Sequence, residues 1–465
     1  MLAFLLTFAL FLLWSLIGHG VFALSWGRRK PLLRAFLAPA VGVVTLVLCT
    51  YGLNRLEIPV RTFGPCLAVV LTCAAGLAMW RFRARMQMPS YLAILGITFA
   101  ALLLAGRPMF DFGFSWLSYG NDDMTNYVLA AQHFLHHGYM QPPSEQALLQ
   151  NSDVSLFYWF MYSVHGARPG SDLLLAWAMS ITGLSGHEVF MPVILALHLA
   201  LISATGGLVY AGSANRSAAL VAALLVAVSP LSTMGVIYQL IGQVFGLCAA
   251  VTWLTLWTQR IPPAPLLALS RRAIPVILLS AGQVLIYPEL LVFLALAVLL
   301  YWGREIARKK VSIRTVCVYF GLTGVVTLAL LNTYVPLAIF NVQKQAQGTL
   351  SAEQKTIYNP FFLVPTGLPI LSGLLPLGAE VPKEPWQSLC IVSGALLLMS
   401  VAAAAVWGAW QGKPAAIMTL VMLAFAWYLF RDQADFGLFK LAMYIQPFIL
   451  GTAVIACMRT LSPKQ

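Results

Sequence analysis

Two adjacent carboxylates stand in the stretch Tyr119-Gly-Asn-Asp-Asp-Met-Thr-Asn-Tyr127, ahead of a run that closes at Gly138. Such a pair either moves protons for a bound substrate or merely caps a helix, and the residue types allow both. Asn121 is a good N-cap, Asp122 and Asp123 fall in the first turn, and Gly138 sits where C′ belongs. Met124, Tyr127, Val128, Ala131, Phe134 and Leu135 follow the i, i+3, i+4, i+7 rule, which predicts an amphipathic helix along a surface. Successive residues turn by about 100°. Asp122 therefore falls opposite the apolar stripe and Asp123 at its border.

A cation stands near the other end of the chain. Lys440 and Tyr444 share one helix face, with Lys440 about one turn inside an apolar stretch. A lysine at that depth snorkels, pairs with an acid or meets an anionic ligand. Arg431 and Gln446 nearby would suit a phosphate. Glu289, after Tyr287 and Pro288, is either a membrane-depth functional group facing an aqueous cavity or a carboxylate at a wet bend. Tyr238, Gln239 and Gln243 flank a turn, where they join such a cavity or anchor the interface. Asp153 and His165 are further cavity candidates, although these two and Arg168 read first as loop structure. His133, His136 and His137 have a spacing that could chelate zinc, but no Glu lies between them as in H-E-x-x-H. They read as the polar face of the surface helix. Ser171 and Asp172 are cap candidates for a second apolar stretch, Leu173–Leu184, which is too short to span and suits a helix packed under the first.

Composition says what must hold these residues. Apolar residues make up 60% and charged residues 9% of 465, with a mean hydropathy of +0.83. Soluble domains run at about 45–50% and 25%. A soluble enzyme, a disordered scaffold and a disulfide mini-protein are excluded. The net charge of +13 does not point to nucleic acid, because the bases form short clusters between apolar stretches and so read as topology signals. All seven cysteines fall within apolar stretches, so neither a disulfide frame nor a cysteine metal site is expected.

The expected fold is an all-α polytopic membrane protein with about thirteen transmembrane helices and a long outer loop carrying amphipathic surface helices. The spans are 2–25, 35–53, 63–80, 90–106, 189–211, 217–235, 240–258, 273–286, 289–303, 315–337, 389–408, 415–430 and 437–458. The first lacks the basic n-region and small-residue site of a cleaved signal. Residues 273–303 fit a hairpin bent at Tyr287-Pro288, with a single tilted helix as the alternative. An outward N-terminus places the clusters Arg28–Arg34, Arg81–Arg85 and Arg304–Arg314 on one face, where Glu305 is the one carboxylate. The remaining acids, and the long loops 107–188 and 341–388, then share the other face.

The run Gly120-Asn-Asp-Asp-Met-Thr-Asn-Tyr-Val-Leu-Ala-Ala-Gln-His, closing at His137-Gly138 in the first large outer loop, resembles the acidic-pair helix of the GT-C superfamily of integral-membrane glycosyltransferases. By architecture the likeness covers 107–458. By motif it covers that helix and, more weakly, the Lys440 region. Relatives place the acidic loop after the first span, whereas three more spans precede it here. Residues 1–85 are thus an added module before a GT-C-like domain over 86–458, unless the likeness is local. The resemblance implies a polyprenyl-phosphate-linked sugar donor held among membrane lipids, and a glycan, lipid or protein acceptor. Transfer would invert the sugar on the periplasmic face of a bacterial inner membrane, with a divalent metal optional and no nucleic acid involved. It implies the base at Asp122 or Asp123 and the donor phosphate at Lys440, Arg431 and Tyr444. Two alternatives are an O-antigen ligase or polymerase, and a lipid-linked sugar flippase or transporter. The latter should carry ionisable groups near the midplane and show matching halves.

Overall fold

The structure is a computed structural model. It describes all residues except 28, 83–87, 120–121, 143, 150–153, 262–265, 351–359, 379–381 and 462–465, and only the backbone of 88–90, 122, 147–148, 266–268, 345–350 and 461. Among the described residues all regular structure is helical. The N-terminal helices are α1 (Leu2–Trp26), α2 (Pro31–Asn54), α3 (Val60–Arg81) and α4 (Met88–Ala105). The outer segment carries α5 (Pro108–Phe112), α6 (Asp122–His136), α7 (Glu145–Leu149), α8 (Ser155–Ser163) and α9 (Gly170–Thr182). Then come α10 (Gly186–Ser213), α11 (Arg216–Val228), α12 (Pro230–Ile237), α13 (Ile241–Trp257), α14 (Leu266–Ile286), α15 (Leu291–Ala307), α16 (Ile313–Leu331) and α17 (Tyr334–Leu350). The chain finishes with α18 (Gly367–Leu371), α19 (Trp386–Trp410), α20 (Pro414–Arg431), α21 (Asp435–Tyr444) and α22 (Gln446–Leu461).

Among the described residues nine helices are long and apolar enough to cross a membrane, and up to twelve if each of three bent pairs is one span. This makes the chain a multi-pass membrane protein. The expected figure of about thirteen exceeds that range for a local reason. α13, in the stretch expected as span 240–258, has only 17 residues. The expected span 90–106 ends at a bend of 66° after α4, and two others are broken, by 51° between α11 and α12 and by 48° between α21 and α22. Pro230 accounts for the second bend, since a proline cannot continue the hydrogen-bond ladder of the preceding helix.

The hairpin expected over 273–303 is present as α14 and α15. Tyr287 is extended (φ −158°), as a residue before proline prefers, and a 3₁₀ turn over Pro288–Leu290 follows. The expected span 315–337 is different. α16 stops at Leu331 because the positive φ of Asn332 (49°) cannot continue a right-handed helix, and α17 then runs into the stretch expected as loop.

The core is built around α10 and α13. α10 is buried over most of its length and every residue of α13 is buried. α1 and α2 join the same buried cluster. They cross at backbone contact, because a Cβ on Gly18 would lie 1.9 Å from the Ala38 carbonyl oxygen and one on Gly42 1.8 Å from that of Trp14. On the outside, Trp80, Val325 and Leu396 present large exposed apolar side chains. That is the surface a lipid-solvated protein shows.

Candidate functional site

α6 forms where the apolar stripe predicts it. Ala131 and Phe134 are fully buried and Met124 nearly so, while Asp123, Thr125, Asn126 and His136 are exposed. His133 departs from the expected solvated face. It is buried, stacks on His137 with ring centroids 5.1 Å apart and lies 6.3 Å from the ring of Tyr158. α8 covers this side of α6, which a helical wheel of one segment cannot show. Among the described residues no three His, Cys, Asp or Glu come together as metal ligands.

α9 packs beneath α6, fully buried over Leu173–Trp177. Ser171 and Asp172 do not cap it. Pro169 is the N-cap residue, and both polar side chains are buried in the first turn. The Tyr162 hydroxyl donates to Asp172 Oδ2 at 2.5 Å, and Oδ1 has no partner. Burial drives the Asp172 carboxyl up to about 7, against the opposing pull of the Tyr162 hydrogen bond and the Arg168 charge.

Four segments converge on a cavity of about 400 Å³. From α6 come Asp123 and Tyr127, one turn apart on the same face. From the turn between α12 and α13 come Tyr238, Leu240 and Gln243, with Gln239 left-handed at the turn (φ 60°). α21 supplies Phe436, Phe439 and Lys440, and Tyr287 comes from the break between α14 and α15. Arg168 and Tyr119 complete the lining, the Tyr119 ring packing 4.9 Å from that of Tyr238.

Each functional side chain has a local reason to be there. Gly246 of α13 leaves the space Tyr287 occupies, since a Cβ there would lie 2.3 Å from the Tyr287 Cβ. The Tyr287 hydroxyl hydrogen-bonds that of buried Tyr444, which fixes α21 against the α14–α15 break. Lys440 Nζ lies 4.4 Å over the Phe436 ring. Tyr127 is half-buried with its hydroxyl near Gly242, and desolvation raises its phenol above the ordinary tyrosine value. Arg168 pairs with Glu289 at 2.6 Å and lies 4.3 Å over the Tyr287 ring. Its segment is tied down by Asn341 of α17, whose amide donates to the Gly166 carbonyl at 3.0 Å.

Among the described lining residues the cavity carries two cations, Arg168 and Lys440, and one carboxylate, Asp123, while Glu289 sits behind Arg168 and pairs with it. Two cations, one carboxylate and several aromatic and hydroxyl groups suit an anionic ligand with a neutral polar part beside it. No protein-family model, curated protein or solved structure matches the chain.

The structure thus brings Asp123, Lys440, Tyr287 and Gln243 to one place, with Tyr444 and Glu289 immediately behind. It does not bring in every candidate. Arg431 is exposed in the last turn of α20, outside the lining. His165 packs edge-on against Phe160, 4.7 Å between centroids. The Gln446 amide is committed to the Ala442 and Leu371 carbonyls and is no phosphate ligand. Asp153, the Asn121 cap and the Asp122 side chain lie outside what is described. The residue that sequence reasoning set aside is Arg168. Its one signal was an arginine between two helices in an outer segment that holds many of the acids.

Proposed function

We propose that the protein is a membrane glycosyltransferase that moves a sugar from a polyprenyl-phosphate carrier to an envelope acceptor, with the Asp123–Lys440 cavity as its active site. The observation that carries this reading is the meeting of Asp123 with Arg168 and Lys440 in one aromatic recess. The acidic-pair helix and the membrane-depth lysine are far apart in sequence, and the fold places them on the same cavity. Asp123 is assigned as the base because its side chain lines that recess.

In the transfer, the acceptor hydroxyl oxygen attacks the anomeric carbon and gives its proton to Asp123. The bond from that carbon to the phosphate oxygen breaks, and the electron pair leaves with the polyprenyl phosphate. Arg168 and Lys440 stabilise the charge that builds on this leaving group. One displacement inverts the anomeric centre. Tyr127, Tyr238 and Gln243 supply hydroxyl and amide groups for the sugar. The cavity end faces the periplasm of a bacterial inner membrane, and the basic clusters face the cytoplasm.

Asp123→Asn tests the assignment, because asparagine keeps the shape and cannot take the proton. Transfer from a polyprenyl-phosphate sugar in detergent should fall by about 10²–10⁴-fold with an unchanged size-exclusion profile. Asp122→Asn, measured alongside, separates the two members of the pair. Full activity of Asp123→Asn would refute Asp123 as the base, and full activity of the double variant would refute the whole reading.

A further inference from the structure

A second and larger cavity, about 620 Å³, opens between the end of α1, the start of α2, the end of α13 and the start of α14. It is distinct from the Asp123–Lys440 recess. α13 runs from one to the other, with Gln243 at its first turn lining the first cavity and Leu256 at its last turn lining the second. The helical rise from Gln243 to Leu256 puts about 20 Å between them.

Arg29, Lys30, Arg260, Arg271 and Arg272 line this cleft, and no carboxylate is among its described lining residues. The rest of the wall is largely apolar and aromatic, with Trp26, Leu256 and Tyr319 among its members. A topology signal needs basic residues on one side of the membrane, where water can solvate each of them. It does not need five of them to line one concavity, in which Arg29, Lys30, Arg260 and Arg271 are exposed and Arg272 is half-buried. Lys30 shows what the convergence costs. It is left-handed (φ 47°), its ammonium donates to Gln259 Oε1 at 2.5 Å and lies 5.7 Å over the Trp26 ring. Desolvation first, then the charges of Arg260 and Arg272, push its ammonium below the ordinary lysine value. Like charges held together without a carboxylate repel one another, and an anion entering the cleft removes that repulsion. Several fork-shaped guanidinium donors beside an ammonium match the tetrahedral oxygens of a phosphate, and the apolar wall matches what a lipid headgroup carries beneath it.

We propose that this cleft is a second anion site, which takes a phosphate group, either as the monoester headgroup of an anionic lipid or as free phosphate. The proposal stands independently of the role given to Asp123.

The full-length protein in a neutral detergent tests it, with three probes at constant ionic strength: dihexanoyl phosphatidate, inorganic phosphate and dihexanoyl phosphatidylcholine. Binding is read by native mass spectrometry and by the shift in melting temperature. Phosphatidate should bind saturably, one per chain, and phosphatidylcholine should not. Arg260→Gln/Arg272→Gln should weaken binding by about 10-fold or more, whereas Lys309→Gln/Arg314→Gln, with the same loss of charge elsewhere on that face, should bind as native. Saturation by phosphatidate alone assigns a lipid source, and equal, competing saturation by inorganic phosphate assigns the free anion. With no ligand present, the Arg260→Gln/Arg272→Gln protein should melt higher than native, because repulsion has been relieved. If that variant aggregates, Lys30→Gln, outside the helices, should show the same loss of binding. The proposal is overturned if neither anion saturates, or if both double variants lose binding equally.

Discussion

Glu289→Gln asks whether Arg168 works because it is held. The two side chains are 25% and 21% exposed, and Arg168 Nη1 lies 2.6 Å from Glu289 Oε1. At an effective dielectric constant of about 20, the gross attraction over that distance is about 6 kcal/mol. Desolvation of both ions and the ordering of two long side chains consume most of it. What remains is the net worth of a hydrogen bond between charged groups, about 1.5–3 kcal/mol. Glutamine keeps the size and one neutral hydrogen bond but removes the charge, so Arg168 would be retained only by that weaker bond and its stacking over Tyr287, 4.3 Å from the ring. If Arg168 must be in place as the leaving group departs, transfer should slow by about 10–100-fold, since each 1.4 kcal/mol is a factor of ten. The loss should fall mainly on kcat. Arg168→Gln should cost more, and the double variant no more than Arg168→Gln alone, because the glutamate acts only through the arginine. Initial rates with a polyprenyl-phosphate sugar, alongside melting curves, give all four corners of the cycle. Losses that simply multiply in the double variant, or native turnover in Glu289→Gln, would refute the reasoning.

Three other outcomes follow from the same geometry. Lys440→Ala should raise KM for the lipid donor and lower kcat, with Lys440→Arg recovering part of each because charge is kept and shape is not; steady-state rates against donor concentration decide it. Asp172→Asn should stabilise the protein near pH 8. The native carboxyl titrates at about 7 against 3.8 for a free one, so the native protein loses stability as pH rises from about 4 to 7. The gap between variant and native melting temperatures should therefore close as the pH is lowered toward 4, and a gap independent of pH would contradict this. Gly246→Ala should cost about 1–3 kcal/mol by driving Tyr287 off α13, whereas Gly76→Ala in α3, where a Cβ meets nothing within 4 Å, should be neutral or stabilising.

Much of the architecture was legible because membrane helices announce themselves by composition. The apolar stripe of α6 and the break at Tyr287-Pro288 were local patterns, and both form as read. What escaped was non-local. Arg168 meets a partner 121 residues away, so no window of sequence could distinguish it from an ordinary loop arginine. His133 looked solvated because the cover that α8 provides depends on how the outer segment folds back. The Ser171–Asp172 cap failed for a related reason. Those side chains are needed in a packed layer, where Tyr162 supplies the partner. The exact number of spans was not legible because a broken helix and a short buried one carry the same hydropathy as a straight crossing helix.

α13 is too short for the layer it occupies. A bilayer's hydrocarbon is about 30 Å thick, and 17 helical residues rise about 25 Å. Its neighbour α10, at 28 residues, rises about 42 Å. Its two ends line the two cavities, Gln243 at the floor of the Asp123–Lys440 recess and Leu256 at that of the basic cleft. A lipid phosphate reaching either floor has to descend below the plane of its fellows, or the bilayer has to thin around the protein to meet it. Membrane thickness thereby becomes a variable in how readily the cavities fill. Thicker, more ordered bilayers would lengthen the descent, and thin ones would shorten it.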